Sequence, residues 1–159
     1  MNPVKNKLQI IAQNNKAYYD YIIEDKIDAG IVLEGFEVKA LRFSKASIGE
    51  SYADNINNEM FILGLNIAAH VKSWSSKYNP RRSRKLLLHK VEIKKLIGLI
   101  NRKSYTIVPL LFYFNQKNIA KILLGIAKGK KKYNKREILK ERDWVRSKVR
   151  IYNNSAILT

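Results

Sequence analysis

The feature that most limits the fold of this chain is its C-terminal segment, residues 128–159, which has too little apolar sequence to build a core. Residues 128–150 contain eleven Lys or Arg and three acidic residues, a net charge of 11 − 3 = +8 out of +18 for the whole chain. If this stretch is helical, its apolar stripe is thin and Arg142 interrupts it, so an isolated helix would be marginal in water. We therefore expect a folded domain at residues 1–127 and a basic tail at 128–159 that is disordered when free and orders on a surface.

The positive charge of the chain predicts a polyanionic partner. A sequence pI near 10.1 is typical of proteins that bind nucleic acid or an anionic membrane surface. A membrane-bound amphipathic helix needs an apolar face rich in Leu, Phe and Trp, and in the tail only Trp144 adds such bulk. RNA is therefore the preferred partner, with membrane anchoring kept as the alternative.

Other features limit the compartment and the chemistry. The sequence contains no run of about 18 apolar residues, so it predicts no transmembrane helix. Residues 1–7 lack the apolar core of a signal peptide, and we therefore expect a cytoplasmic protein. Without cysteine there are no disulfides and no thiolate zinc sites. The two histidines, His70 and His89, are far apart, and no Gly-rich phosphate loop is present. We expect no enzyme, cofactor or metal, although a nuclease site built from tertiary contacts stays open as an alternative.

Short aromatic and β-branched runs predict a β-rich domain. We expect strands at 17–23, 28–33, 51–56, 60–67, 105–114 and 119–126, and helices at 36–43 and 89–103. Asn57 and Asn58 suit a tight hairpin turn, and Pro109 within its strand indicates an edge position or a bulge. The predicted fold is mainly β: a small OB-like closed antiparallel barrel with about two helices. An open α+β sandwich is the alternative.

Residues 70–84 show no periodicity and predict a long loop. In this loop Arg and Lys alternate with Trp74 and Tyr78, which combines phosphate contacts with faces on which bases can stack. We interpret it as part of an RNA-binding surface, the alternative being a mobile surface loop without a ligand.

Four segments of the chain carry recognisable motifs: Ile11-Ala-Gln-Asn-Asn-Lys-Ala17, Ala29-Gly-Ile-Val-Leu-Glu-Gly-Phe-Glu-Val-Lys39, Asn79-Pro-Arg-Arg-Ser-Arg-Lys-Leu-Leu-Leu-His89, and residues 127–144 from Ala-Lys-Gly-Lys-Lys to Lys-Glu-Arg-Asp-Trp. Taken together and in this order, they resemble the family of SsrA-binding proteins (small protein B), the partners of transfer-messenger RNA in the rescue of stalled ribosomes. The resemblance runs from about Leu8 to Tyr152.

The resemblance implies a monomeric OB-type barrel that binds the tRNA-like domain of transfer-messenger RNA. Through that charged RNA the protein would also be associated with elongation factor Tu. The expected RNA-binding residues are Asn14, Lys16, Asp28, Glu37, Lys39, Arg82, Arg84, Lys85, Leu87 and His89. A general OB-fold RNA-binding or ribosomal protein is the alternative function.

The resemblance also implies that the tail enters the decoding region of the small ribosomal subunit and the empty mRNA channel, where it becomes helical. The expected ribosome-binding residues are Lys130, Lys131, Tyr133, Asn134, Lys135, Arg136, Arg142, Trp144, Ile151 and Tyr152. The chain departs from the family pattern at Asn15, where a basic residue is usual, at Asp28, where Glu is usual, and at Asn134, where Asp is usual.

Overall fold

The structure is a computed structural model that describes residues 8–43, 46–69, 78–102, 104–130 and 140–146. The chain divides into two units, Met1–Gly129 and Lys130–Thr159, and each is considered by itself. The described part of the first unit contains nine strands and three helices. In chain order they are β1 (Gln9–Gln13), α1 (Asn15–Asp20), β2 (Tyr21–Ile31), α2 (Gly35–Phe43), β3 (Ala46–Ser47), β4 (Tyr52–Ile56), β5 (Glu59–Leu63), β6 (Asn66–Ile67), β7 (Arg84–Leu87), α3 (Lys90–Asn101), β8 (Tyr105–Phe114) and β9 (Ala120–Gly129).

The main sheet closes on itself. Strands β8, β4, β5, β7, β2 and β9 pair in that order, and β8 also pairs with β9, so these six strands form a ring. Strand β1 is added to β8, while β3 and β6 form a separate small pair. Every pairing is antiparallel. The prediction of a mainly β, OB-like closed antiparallel sheet is confirmed, and the open sandwich is not the arrangement observed.

The strand predicted at 17–23 is wrong over its first four residues, which belong to helix α1. Asn14 caps this helix: its side-chain oxygen accepts a hydrogen bond from the Ala17 amide at 3.1 Å, and its Nδ2 donates to the Pro109 carbonyl at 3.1 Å. A cap of this kind satisfies a free helix amide, and here it prevails over the β propensity of the tyrosines that follow. The predicted strands at 21–23 and 28–33 are parts of one long strand, β2.

The predicted turn and the predicted bulge are both observed, and the structure adds a bend at Gly64. Asn57 and Asn58 have φ of 52° and 61°, which confirms the hairpin turn between β4 and β5. The pairing of β8 with β9 shifts register just after Pro109, which confirms a bulge. The predicted strand 60–67 is divided into β5 and β6 by Gly64, whose φ is +76°. A Cβ at Gly64 would lie 3.1 Å from the Glu50 carbonyl oxygen, so this bend favours glycine.

The core fills the ring, and α3 packs on it through Leu96, which is fully buried. The predicted helix at 89–103 is observed as α3, and its Ile93, Ile97 and Ile100 contact the same core. Helix α1 uses a second, smaller cluster in which Ala17 meets Val108, Leu110 and Ala127. Ile107 of β8 is in the ring core and Val108 is not, as the alternation of a strand requires.

The second unit is described at Lys130 and at residues 140–146, and the latter are helical and exposed to solvent. Arg142 and Trp144 lie in this helix. The other tail residues expected at the ribosome lie outside the described residues, apart from Lys130; they are Lys131, Tyr133, Asn134, Lys135, Arg136, Ile151 and Tyr152. The loop interpretation of 70–77, including Trp74, also falls outside them.

Candidate nucleic-acid interface

Two charged side chains near the expected interface are completely buried, and one of them is the Glu37 carboxylate of α2. Its side chain has no exposed surface, and it accepts hydrogen bonds from Arg82, Arg84 and the Tyr78 hydroxyl. The Glu34 amide donates to it at 2.9 Å. Burial by itself would raise the pKa of Glu37, but the hydrogen bonds from Arg82 and Arg84 outweigh burial and hold the pKa below its usual value.

Arg84 is the second half of this network and also has no exposed surface. Its guanidinium donates to Glu37 Oε1 at 2.7 and 2.9 Å, and to the carbonyl oxygens of Leu65 at 2.7 Å and Pro80 at 3.0 Å. Residues 70–84 were predicted to form one loop, but Arg84 begins strand β7 and pairs with Ile62 of β5. Arg84 therefore attaches the end of the loop to the ring.

Tyr78 and Arg82 complete the attachment of the loop. The Tyr78 hydroxyl donates to the Ile67 carbonyl at 2.9 Å, and the Tyr78 ring packs edge-on against Phe36 with 4.8 Å between centroids. Burial and the nearby Glu37 carboxylate raise the pKa of Tyr78, and the hydrogen bond to Glu37 raises the pKa of Arg82. The network thus holds residues 78–84 against α2 and β6, with Glu37 and Arg82 ionised at neutral pH.

Burial changes how three of the predicted RNA-binding residues can act. Glu37 and Arg84 are completely buried, and Asn14 is buried in its position as the N-cap of α1. In this conformation their side chains are occupied by protein partners, so they can influence RNA binding by positioning other groups rather than by touching RNA. Arg82 is partly exposed and shares its guanidinium with Glu37.

The remaining predicted residues lie at or near the surface. Lys16 and Lys39 are exposed, and the side chain of Lys85 is 41% exposed beside Glu59, with 2.6 Å between Nζ and Oε1. His89 precedes α3 as its N-cap, and its amide donates to the Glu92 carboxylate at 2.9 Å. Lysine side chains of this kind can exchange an exposed carboxylate for a phosphate at little cost, because exposed ion pairs contribute little.

Asp28 and Leu87 lie on the same outer face of the ring. Gly30 of β2 is paired on one side with Leu87 of β7 and on the other with Lys121 of β9. Lys121 pairs with Tyr113 of β8, and Tyr113 pairs with Ile10 of β1. Since directly paired residues point to the same face, Leu87, Gly30, Lys121, Tyr113 and Ile10 form one row across five strands; we call it the outer row.

Asp28 lies two residues before Gly30, so it faces the same side as the outer row. The Tyr113 hydroxyl donates to Asp28 Oδ1 at 2.7 Å, and Lys121 Nζ lies 3.0 Å from Oδ2. Burial and the bond to Asp28 raise the pKa of Tyr113 to about 12. The phenol therefore remains a hydrogen-bond donor at all physiological pH values.

Sequence reasoning missed Tyr113 and Lys121, and it interpreted Tyr78 as a stacking face for bases rather than as a partner of Glu37. Tyr113 and Lys121 lie opposite each other across the β8–β9 turn, whereas the predicted turn at 115–118 would have placed Ala120 opposite Tyr113. Their meeting with Asp28 depends on the pairing of β2 with β9, between residues 93 positions apart, and no local pattern reports that pairing.

Two other findings concern the described residues. None of their His, Asp and Glu side chains come together in a group of three or more that could hold a metal ion. Within the same residues, no helix is long and apolar enough to cross a membrane.

A closed antiparallel ring with lysines on its surface, followed by a basic segment in the sequence, is typical of a small nucleic-acid-binding protein of the β class. Comparison with known proteins makes the assignment specific. The model of the family described as SmpB protein matches residues 11–154. The chain belongs to the SmpB family.

Two relatives and one solved structure give the extent of the similarity. The SsrA-binding protein of Rickettsia canadensis (strain McKiel) is 52% identical over 143 residues, which cover 90% of this chain and 94% of that protein. The SsrA-binding protein of Rickettsia bellii (strain OSU 85-389) is 53% identical, with 90% and 95% covered. A solved chain described as "tmRNA-SmpB: a journey to the center of the bacterial ribosome" is 44% identical, covers 76% of this chain and 85% of its own length, and has a TM-score of 0.64.

Proposed function

We propose that this protein binds the tRNA-like domain of transfer-messenger RNA and delivers it to stalled ribosomes for trans-translation in the cytoplasm. The observation that carries the proposal is the SmpB family match, which extends from residue 11 to residue 154 and so includes both the ring and most of the basic tail. The relatives at 52–53% identity are SsrA-binding proteins over almost their entire length.

The first unit holds the RNA in this proposal. Its outer face supplies the exposed Leu87, the carboxylate of Asp28 and the lysines Lys85 and Lys121. Phosphate contacts position an RNA without reading it, and shaped contacts to sugars and bases supply specificity. The protein acts as a non-enzymatic adaptor, and elongation factor Tu joins through the charged RNA.

The tail senses the ribosome in this proposal. An mRNA channel is lined by ribosomal RNA phosphates, so an empty channel attracts a tail with ten Lys or Arg and three acidic residues between 130 and 150. A channel that holds mRNA excludes the tail sterically. Discrimination between stalled and active ribosomes is then steric, and affinity is electrostatic.

The test is a binding experiment with the tRNA-like domain of transfer-messenger RNA, carried out over a salt series and in the presence of excess ordinary tRNA. Binding that withstands the competitor at moderate salt is the expected result, because a shaped site depends on salt less than a cationic surface does. Binding that disappears with competitor and salt would overturn the proposal and leave a general RNA-binding protein.

A further inference from the structure

The outer row contains a carboxylate held by two donors from neighbouring strands. Asp28 of β2 accepts a hydrogen bond from the Tyr113 hydroxyl on one oxygen and from Lys121 on the other. The three residues come from three adjacent ring strands, β2, β9 and β8. The Asp28 side chain remains 39% exposed, so the carboxylate is anchored but still accessible from outside.

A carboxylate on a surface that receives RNA requires an explanation, because phosphates repel it. Lys121 offsets the negative charge of Asp28, which reduces that repulsion. An ionised carboxylate has about four lone-pair positions, and Tyr113 and Lys121 occupy one each. Acceptor capacity therefore remains on the exposed side. RNA offers matching donors in its 2′-hydroxyls and in the amino groups of its bases.

We infer that Tyr113 and Lys121 are positioning residues that hold the Asp28 carboxylate as a hydrogen-bond acceptor for a 2′-hydroxyl or base amino group of the bound RNA. This inference rests on the proposed function and deepens it. The hydrogen bond from Tyr113 fixes the orientation of the Asp28 carboxylate, and the positive charge of Lys121 offsets the negative charge of Asp28. Neither residue needs to touch RNA for this role.

The surroundings of the carboxylate favour close approach by RNA. Gly30, next to Asp28 along the outer face, has no side chain, and a Cβ there would lie 3.2 Å from the Leu87 Cβ. The Leu87 side chain therefore packs over Gly30, with its Cδ1 3.5 Å from that Cβ position, and gives an apolar surface on the same face as Asp28. Leu87 and Ile10, at the two ends of the outer row, are 54% and 57% exposed and give apolar borders. A ribose that packs on Leu87 would lie on the same face of the sheet as the Asp28 carboxylate.

The first experiment is a double-mutant cycle on affinity for the tRNA-like domain, with the full-length chain. Tyr113→Phe removes one hydroxyl and should weaken specific binding about three- to tenfold, the usual range for one hydrogen bond. In an Asp28→Ala background the same substitution should have no further effect, because Tyr113 acts through Asp28. Tyr105→Phe, on the same strand and facing Lys128, is the matched control and should bind normally.

The second experiment separates positioning from general charge. Lys121→Met and Lys117→Met each remove one positive charge, and Lys117 lies exposed in the β8–β9 turn. Both should change the salt dependence of binding similarly. Only Lys121→Met should reduce the preference for the tRNA-like domain over ordinary tRNA. Equal preference in the two variants would overturn the role of Lys121.

A third experiment identifies the donor. Analogue interference with 2′-deoxynucleotides and with inosine, in the tRNA-like domain, tests the hydroxyl and the guanine amino group separately. One position should show interference with the unmodified protein and lose it with Asp28→Ala. Interference from the 2′-deoxy analogue assigns the hydroxyl, and interference from inosine assigns the amino group. An identical interference pattern for both proteins would overturn the role of Asp28 as an acceptor.

The outcomes distinguish this inference from the proposed function. If the unmodified protein binds specifically but Tyr113→Phe binds equally well, the inference fails and the proposed function stands. If Tyr113→Phe weakens binding equally with and without Asp28, Tyr113 does not act through the carboxylate and the inference is again overturned. Thermal unfolding of each variant, measured in parallel, identifies any loss that comes from the fold alone.

Discussion

The substitution Glu37→Gln tests the buried network directly, because it changes one charge and almost no volume. Glu37 receives hydrogen bonds from Glu34, Tyr78, Arg82 and Arg84. A glutamine has one acceptor oxygen, and its amino group would face guanidinium donors. The Arg84 guanidinium would then be a charge without a counterion in a site that water does not reach.

The expected cost follows from burial. Removing one partner of a buried ion pair costs about 3–5 kcal/mol, because the other charge remains buried and uncompensated. Both Glu37 and Arg84 have fully buried side chains, so the full range applies to this pair. A domain of this size is typically stable by about 5–15 kcal/mol, so Glu37→Gln should remove a large share of the total.

The assay is urea unfolding of the full-length chain, and the control is Glu59→Gln. Glu59 pairs with Lys85, but their side chains are 47% and 41% exposed. An exposed pair contributes about 0–1 kcal/mol, so the same chemical change should cost far less there. A cost of Glu37→Gln no greater than that of Glu59→Gln would refute a role of the buried network in holding residues 78–84 against α2. Replacing Glu37 and Arg84 together by Met should recover part of the loss.

Four further predictions concern the two units and their pH dependence. Deletion of residues 130–159 should leave thermal unfolding and RNA binding nearly intact and abolish rescue in a stalled-ribosome assay; a large loss of RNA affinity would contradict this separation of roles. Lys85→Met should reduce the salt slope of RNA binding by about one, whereas Arg84→Met, a buried change, should lower stability and leave the slope unchanged. Hydrogen bonds from Arg82 and Arg84 hold the pKa of Glu37 below its ordinary value of 4.5, so the stabilisation by Glu37 is complete above that pH and should be lost as the pH falls below it. The free energy of unfolding, measured as a function of pH, should show this loss in the unmodified protein and not in Glu37→Gln. The Tyr113 phenol should titrate at about pH 12, and Asp28→Ala should lower that value when followed by tyrosine ring NMR shifts.

Local patterns in the sequence predicted the elements whose stability is itself local. The Asn57–Asn58 turn, helices α2 and α3, and the long hairpin with its bulge after Pro109 are all observed. The turn and the helices depend on residues within about ten positions of one another, and the hairpin joins two strands that are consecutive in the chain.

The resemblance of four segments to the SsrA-binding proteins predicted the family, and the family match confirms it. The motif strings show which residues a family retains but not how each one acts. Asp28, Leu87 and Lys85 lie on the outer face, whereas Glu37, Arg84 and Asn14 are buried. Direct RNA contact by individual residues stays a prediction for the exposed members.

By itself, the sequence determined the β-rich class, the main hairpins, the basic tail and the family, because charge, periodicity and motif order are properties of the chain alone. Tertiary structure decided the rest. It placed Arg84 on Glu37 across 47 residues and Lys121 on Asp28 across 93, and it turned residues 17–20 from a predicted strand into a capped helix. These outcomes depend on which strands close the ring, and closure is governed by the burial of distant apolar surfaces that no local pattern records.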